Sequence, residues 1–268
     1  MDAGSRKDKG SISTMFSFKA IYVITLREFK RFFRQKGRLV VSLARPLIWL
    51  LIVGSGFTGL IDVKADGSYI QFILPGIVGM TILFSSIFST ISVVWDREFG
   101  FLREMLVSPV SRVTIVFGKL LSGTALSVFQ GTVLLAVAPM LGLYMGIGEF
   151  VVMFLLMTLV ALSITALGLF VASFLTSLEG FNVIMNFIVL PMFFLSGALY
   201  PIGSLPPFIK VLAYINPLCY GVDAFKHVLL PGTGRLSAEL PFAADVAVVA
   251  AFAVVFTFLA ALVFERKK

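Results

Sequence analysis

The chain has 268 residues, of which 59% are hydrophobic and only 13% are charged. Because a water-soluble domain carries about a quarter charged residues, this composition excludes a soluble globular protein and indicates an integral membrane protein. The net charge of +8 indicates contact with anionic membrane lipids and requires no nucleic acid partner. The single cysteine, Cys219, excludes an intrachain disulfide.

The N-terminal region divides into a tail and a helix. Residues 1–14 are polar, which predicts a disordered tail, and residues 15–38 predict an amphipathic helix with apolar side chains at i, i+3/i+4 spacing. Such a helix lies in the headgroup region rather than crossing the membrane. A helix that serves only as a topology anchor is the alternative. The basic residues singled out on its polar face are Arg27, Arg31 and Arg34.

Residues 39–268 predict a transmembrane domain. Six apolar segments in it have the roughly 20 residues needed to cross the hydrocarbon core. Lysine and arginine are concentrated before the first segment, between the second and third, and after the last, so the positive-inside rule makes these regions and both termini cytoplasmic. The sequence therefore predicts an all-α membrane protein with six crossings. The predicted crossings are residues 39–61, 70–94, 114–143, 150–175, 182–200 and 243–264.

The second and fifth predicted crossings carry polar side chains along one face. Polar groups in lipid usually face a bundle interior or a water-filled cavity. Close helix packing through small residues is the alternative for the serines, and a dimer seam is an alternative for the asparagines. The candidate substrate-pathway residues, with two phenylalanines beside them, are Ser85, Phe88, Ser89, Ser92, Asn182, Asn186, Phe193 and Ser196.

Residues 201–242 contain six prolines and two short apolar stretches, FIKVLAYI and CYGVDAFKHVLL. These stretches predict two short helices at the outer surface, because each is too short to cross a bilayer. Asp223 and His227 are spaced i, i+4 on the second of them, where a structural pair is favoured over a catalytic one. Together with Glu239 they are the outside candidates for a membrane enzyme that acts on a lipid.

The sequence offers little other chemistry. With a single histidine, no metal site is predicted. GSGFTG at residues 54–59 has the glycine spacing of a phosphate-binding loop, but it continues with Leu-Ile instead of Lys-Ser/Thr and lies in a predicted crossing. The chain therefore shows no nucleotide-binding site of its own, and we expect it to be no enzyme.

One charged insert, WDREFGFLREMLVSPVSR at residues 95–112, separates the second and third crossings. It predicts a cytoplasmic helix over about residues 96–109 with two apolar aspects and a charged rim, a pattern that suits docking into a groove of a partner. An interfacial loop helix is the alternative. We expect its acidic residues, Asp96 among them, to form solvated ion pairs.

Several runs in this order resemble the permease subunits of type-2 ABC exporters. The runs are REFGFLREMLVSPVSR, GKLLSG, LPGIVGM, and LSGALYPIGSLPP followed by INPLCYGVDAF. The resemblance covers residues from about 16 to 266. It implies an N-terminal connecting helix, six crossings, a coupling helix after the second crossing, and extracellular helices before the sixth.

The resemblance also implies partners and residue roles. It implies a permease that dimerises in a bacterial inner membrane and pairs with a separate ABC ATPase, which would hold the ATP and Mg²⁺. The substrate path would run at the dimer seam along the second and fifth crossings. The candidate coupling residues are Arg97, Glu98, Phe101, Arg103, Glu104 and Leu106, with Arg27, Arg31 and Arg34 as neighbours on the connecting helix.

The leading functional prediction is an ATP-driven exporter subunit for a hydrophobic or amphiphilic substrate, such as a drug, a lipid or a lipid-linked glycan. A lipid-modifying membrane enzyme and a non-transporting membrane scaffold are the alternatives.

Overall fold

The computed structural model describes residues 17–57, 69–100, 110–230, 232 and 237–266. These residues form helices and connecting turns, with no strand among them, which confirms the all-α prediction. The helices are α1 (Phe18–Arg34), α2 (Lys36–Phe57), α3 (Tyr69–Glu98), α4 (Arg112–Leu135), α5 (Ile147–Phe174), α6 (Leu178–Phe194), α7 (Pro207–Ile215), α8 (Pro217–Leu229) and α9 (Phe242–Arg266), with short 3₁₀ turns at Ala138–Leu141 and Ile202–Ser204.

Serine side chains fix where three of the helices begin. Ser17 accepts a hydrogen bond from the Ala20 backbone N–H, and Ser111 accepts one from Thr114. Ser177 does the same for Gly180 at the start of α6. Each hydroxyl satisfies one of the backbone donors that the first turn of a helix leaves unpaired.

Four of the described helices are long and apolar enough to cross a membrane: α3, α4 together with its 3₁₀ turn, α5 and α9. The pair α1 and α2 passes the same test only as one unit, and its two halves are bent by 72°. At 17 residues, α6 is a shorter apolar helix. The chain is thus a multi-pass membrane protein, with four or five candidate spans where the sequence predicted six.

The long helix α3 lies at the centre of the bundle. It packs against α2, α4, α5, α6 and α8, while α9 packs on α5 at the periphery. Small residues permit these close approaches. A Cβ atom added at Gly123 would lie 2.3 Å from the Ser89 hydroxyl, and one at Gly76 would lie 2.5 Å from the Ala198 carbonyl oxygen. The two ends of α3 lie in different environments. Its C-terminal end lies beside α1, and its N-terminal end lies beside α8.

Two predicted boundaries differ from the structure. Residues 96–98 are the last turn of α3 rather than the start of a separate helix, and Gly100 follows with a φ of 79°. The helix continues because nothing in the sequence breaks it before that glycine. The amphipathic helix predicted for residues 15–38 is shorter, since α1 ends at Arg34 and α2 begins at Lys36. Residues 1–14 and 101–109 lie outside the described part of the chain.

Candidate functional site

Four charged side chains meet where α1 crosses α3 and α4. The Lys119 ammonium on α4 donates hydrogen bonds to Glu28 Oε1 at 2.7 Å, to the Asp96 carboxylate and to Ser92 Oγ at 3.0 Å. Arg27 Nη2 donates to Glu28 Oε1 at 2.8 Å and to Asp96 Oδ2 at 2.9 Å. We call Arg27, Glu28, Asp96 and Lys119 the ionic cluster. It connects three helices through two cations and two anions.

The ionic cluster is balanced in charge, and three of its four side chains are buried, while that of Arg27 is 34% exposed. The side chain of Lys119 is 2% exposed, and those of Glu28 and Asp96 are each 8% exposed. Burial alone would raise the pKa of the Glu28 carboxyl, but Lys119 and Arg27 together outweigh this effect and hold that pKa below its ordinary value. In such a network every charge depends on its partners, because an isolated buried charge is costly. The cluster therefore holds the three helices in one relative arrangement.

Apolar contacts around the ionic cluster support the same joint. Ile24 on α1 packs against Gly118 on α4, where an added Cβ atom would lie 3.0 Å from the isoleucine side chain. The ring of Phe33 on α1 makes an edge contact with Phe129 on α4, with centroids 5.5 Å apart. The absence of a side chain at Gly118 thus lets α1 lie directly on α4.

A cavity of about 380 Å³ lies beside the ionic cluster, between α1, α2, α3 and α4. Its wall combines aromatic, hydroxyl and basic groups. The Arg45 guanidinium lies 5.4 Å from the centre of the Phe84 ring, and the Arg31 guanidinium lies 5.4 Å from that of Trp95. Gln130 donates a hydrogen bond to Ser85 Oγ at 2.7 Å. This lining can receive both an apolar chain and a polar head.

The predicted pathway residues fall into two groups. Four of them, Ser85, Phe88, Ser89 and Ser92, line the cavity. The other four lie on α6 or directly after it and do not line it, although the sequence placed them on one stripe. Asn182 and Asn186 are exposed, whereas Phe193 and Ser196 are buried. The structure therefore brings the first four together and separates them from the second four.

The predicted coupling residues that the structure describes, Arg97 and Glu98, bind the connection between α5 and α6. Arg97 donates hydrogen bonds to the Ser173 and Leu175 carbonyl oxygens at 3.0 and 2.6 Å. The Glu98 carboxylate accepts one from the Leu178 backbone N–H at 3.2 Å. Of the connecting-helix residues, Arg34 is exposed in the last turn of α1. The remaining coupling residues lie outside the described part of the chain: Phe101, Arg103, Glu104 and Leu106.

The sequence reasoning missed Glu28 and Lys119 and misjudged Asp96. The expectation of a solvated ion pair for Asp96 is wrong, because this residue is 6% exposed and bound to two cations. One signal was available. Lys119 lies inside the third predicted crossing, and a lysine there requires a carboxylate partner.

The outside candidates Asp223, His227 and Glu239 also come together, at the opposite end of α3. Both Asp223 carboxylate oxygens accept backbone hydrogen bonds from Glu239, and one also accepts from Leu240. The Glu239 carboxylate accepts the Ile202 and Gly203 backbone N–H groups at 2.6 Å each. Carboxylates engaged in this way hold turns in place, which favours a structural role for Asp223 and Glu239 over a catalytic one.

Comparison with known proteins identifies the family. The family model described as ABC-2 type transporter matches residues 19–230. A ycf38 transport permease of Cyanophora paradoxa is 26% identical over 245 residues, covering 88% of this chain and 83% of the relative. The inner membrane transport permease YadH of Escherichia coli is 25% identical over 215 residues, covering 80% and 83%. The matched region contains the ionic cluster, the cavity and α8, and the chain therefore belongs to the ABC-2 type transporter family of membrane permeases.

Proposed function

We propose that this permease is the transmembrane subunit of an ATP-driven exporter that dimerises and binds one separate ABC ATPase subunit per copy. The ionic cluster carries the proposal, because it joins α1 to α3 and α4 close to the segment that follows Glu98. The ATP and Mg²⁺ belong to the partner. The α1 end of the bundle is then cytoplasmic, in agreement with the positive charge concentrated there.

The cluster gives the coupling a mechanical route. A rigid contact passes on a displacement, whereas a solvated ion pair does not. When the ATPase subunits close on ATP, they displace α1 and the segment after Glu98. Because Lys119 and Arg27 each bind carboxylates from two helices, α1, α3 and α4 move as one body. The remaining wall of the cavity is α2. A joint movement of α1, α3 and α4 therefore changes the width of the opening between these helices and α2.

The lining of the cavity supports an amphiphilic substrate. Its volume of about 380 Å³ falls within the range typical of ligand pockets, about 300–1,000 Å³. Phe84 and Phe88 offer apolar contact, while Ser85 and Gln130 offer hydrogen bonds. Arg31 and Arg45 lie at the polar part of the wall. A hydrophobic drug, a lipid or a lipid-linked glycan carries both kinds of group.

The exposed face of α6 supports dimerisation. Val183 and Phe187 are 70% and 83% exposed, and the exposed Asn182 and Asn186 lie beside them. Amide side chains surrounded by apolar ones form interhelical hydrogen bonds in lipid. A second copy of the chain provides a partner for this face, and the substrate path would leave along the seam between the two copies.

The test is purification of the tagged permease from native membranes in mild detergent, with an ATPase assay on the eluate. We compare wild type with Glu98→Arg, and with Glu149→Arg as a matched charge reversal at the start of α5. We expect nucleotide-dependent ATPase activity with wild type and Glu149→Arg, and its loss with Glu98→Arg. Glu98 already accepts the Leu178 N–H, so the folding of each variant is checked by gel filtration.

Two results would oppose the proposal. Activity retained by Glu98→Arg would move the contact with the ATPase away from the end of α3. Absence of an ATPase from every preparation, under conditions that preserve membrane complexes, would favour the enzyme or scaffold alternatives.

A further inference from the structure

The outer end of the bundle contains a carboxylate that lacks a hydrogen-bond donor. Asp245, in the first turn of α9, is 0% exposed. Among the described residues, no donor makes a hydrogen bond to either of its oxygens. A buried polar group without a partner costs about 1–3 kcal/mol, and a charged one costs more. Such a carboxylate calls for a cation.

Two further ligand groups face Asp245 from α8. His227 Nε2 lies 3.6 Å from Asp245 Oδ2. One ligand atom from each of Asp223, His227 and Asp245 can be chosen so that all three lie within 4.8 Å of one another. Asp223 and His227 are one helical turn apart, so their side chains share a face of α8. Two rigid helices thus present three potential ligands to one point.

The distance between His227 and Asp245 fits a bridging metal ion better than a direct hydrogen bond. Two ligands of a tetrahedral zinc ion are about 3.4 Å apart, given bonds of roughly 2.0–2.1 Å. The 3.6 Å between His227 and Asp245 is too long for a hydrogen bond and close to that value. His227 Nε2 donates a hydrogen bond to the Leu240 carbonyl oxygen at 2.8 Å, and a metal ion bound at this nitrogen would displace that proton.

The charges at the site also favour a cation. With His227 neutral, the buried carboxylates of Asp223 and Asp245 face the single ammonium of Lys226, which leaves one negative charge for a bound cation to offset. The Glu239 carboxylate is exposed and does not enter this sum. The Lys226 ammonium lies 4.0 Å from Asp223 and 5.1 Å from the centre of the Phe72 ring.

We propose that Asp223, His227 and Asp245 form a binding site for a divalent transition-metal ion of the zinc type. One imidazole with two carboxylates is a mixed set that suits zinc or manganese better than magnesium or calcium. The bound ion fastens the start of α9 to α8. This site lies outside the coupling machinery and does not depend on the proposed ATPase partner.

The test measures zinc on the full-length permease in detergent. Wild type, Asp245→Asn and His227→Gln are stripped with a chelator, incubated with Zn²⁺ or Mg²⁺, desalted, and assayed by mass spectrometry of the metal. Glu149→Gln is the matched control, because its carboxylate caps α5 outside the site. We expect about one zinc ion per wild-type and Glu149→Gln chain, no retained magnesium, and zinc affinity more than about tenfold weaker in the two site variants.

Melting curves of the same samples separate binding at the site from other effects. Zinc should raise the melting temperature of wild type and leave that of Asp245→Asn unchanged, since a ligand that binds only the folded state stabilises it. Asp245→Asn keeps the size of the side chain and removes its charge, so this variant should fold. Equal zinc content in wild type and Asp245→Asn would overturn the proposal. So would a wild-type melting temperature that follows pH and ignores zinc, because a proton would then balance the charge.

Discussion

The two ends of α3 contain two buried groups of charges that are completed in different ways. At the α1 end, Lys119 and Arg27 bind two carboxylates, and the ionic cluster is neutral within the chain. At the α8 end, Asp245 has no hydrogen-bond donor among the described residues. The comparison shows that burial alone does not define the role of a charge. A complete network is neutral within the chain and suits the proposed mechanical role, whereas an incomplete one suits the proposed cation site.

The largest effect is expected from a substitution that breaks the ionic cluster. Lys119→Met leaves Glu28 and Asp96 facing only Arg27, and removing one partner of a buried pair costs about 3–5 kcal/mol. We expect a strongly lowered melting temperature in detergent. The double variant Lys119→Met/Asp96→Asn restores neutrality and should recover most of that loss. A double variant no more stable than the single one would show that the charges do not act as a network.

The next effect concerns Asp223, at the α8 end of α3. Asp223→Ala removes the carboxylate that accepts the Glu239 and Leu240 backbone N–H groups. Hydrogen bonds to charged groups contribute about 1.5–3 kcal/mol each, so this segment should open locally. Hydrogen exchange of the amides at residues 237–241 should accelerate while those of α4 stay protected. Faster exchange throughout the bundle would instead give Asp223 a global role.

Substitutions at two glycines test how tightly the helices pack near each of the two groups of buried charges. An added Cβ atom at Gly79 would lie 2.6 Å from Val222 on α8, whereas at Gly118 it would lie 3.0 Å from Ile24 on α1. Overpacking costs about 1–3 kcal/mol, and Gly79→Ala should cost more than Gly118→Ala. Gly148→Ala, with nothing within 4 Å, is the control and should not destabilise. Melting temperatures of the three variants test this order.

The last prediction is that the Cys219 thiol, at the α8 end, does not react in the folded protein. Burial, with a contribution from Asp223, raises the pKa of the Cys219 thiol to about 12. The thiolate, the reactive form, is therefore scarce at neutral pH, and the thiol is buried as well. We expect no maleimide labelling of the folded permease at pH 7 and full labelling after denaturation. Tyr144→Cys, at a position 82% exposed in the connection between α4 and α5, is the positive control.

The sequence predicted features that depend on a local pattern better than features that depend on how the helices pack. The all-α class follows from the local hydrophobic pattern, whereas the N-caps at Ser17, Ser111 and Ser177 were not among the sequence predictions. The start predicted at residue 96 for the cytoplasmic helix differs from the structure, because hydrophobic periodicity does not mark a boundary inside a continuous helix, and residues 96–98 continue α3. Residues 101–109 of that prediction lie outside the described part of the chain. Candidate pathway residues on α3 could be grouped from their spacing, and four of them do line one cavity.

The partners in the ionic cluster and the burial of Asp245 were beyond the same reasoning, although Lys119 itself gave a signal. Arg27 is 69 residues from Asp96 and Glu28 is 91 residues from Lys119, and their pairing depends on how the helices cross. Asp245 lies at the start of an apolar run, where a carboxylate reads as part of a headgroup-exposed first turn. Its burial results from α8 and the 239–240 segment packing over it. Tertiary packing supplies this information, and a single sequence does not contain it in readable form.

In the proposed exporter, the continuous helix α3 is a lever arm that reaches from a fulcrum beside the cation site to the ionic cluster. From Gly79, packed against Val222 on α8, to Asp96 the helix spans about 26 Å at 1.5 Å per residue. A tilt of about 5° about Gly79 would shift the Asp96 end by roughly 2 Å. Val222 directly precedes Asp223, so a cation that stiffens α8 would also fix the fulcrum. By thermodynamic reciprocity, nucleotide on the ATPase would then alter the affinity for that cation on the opposite face of the membrane, by the same factor by which the cation alters nucleotide binding.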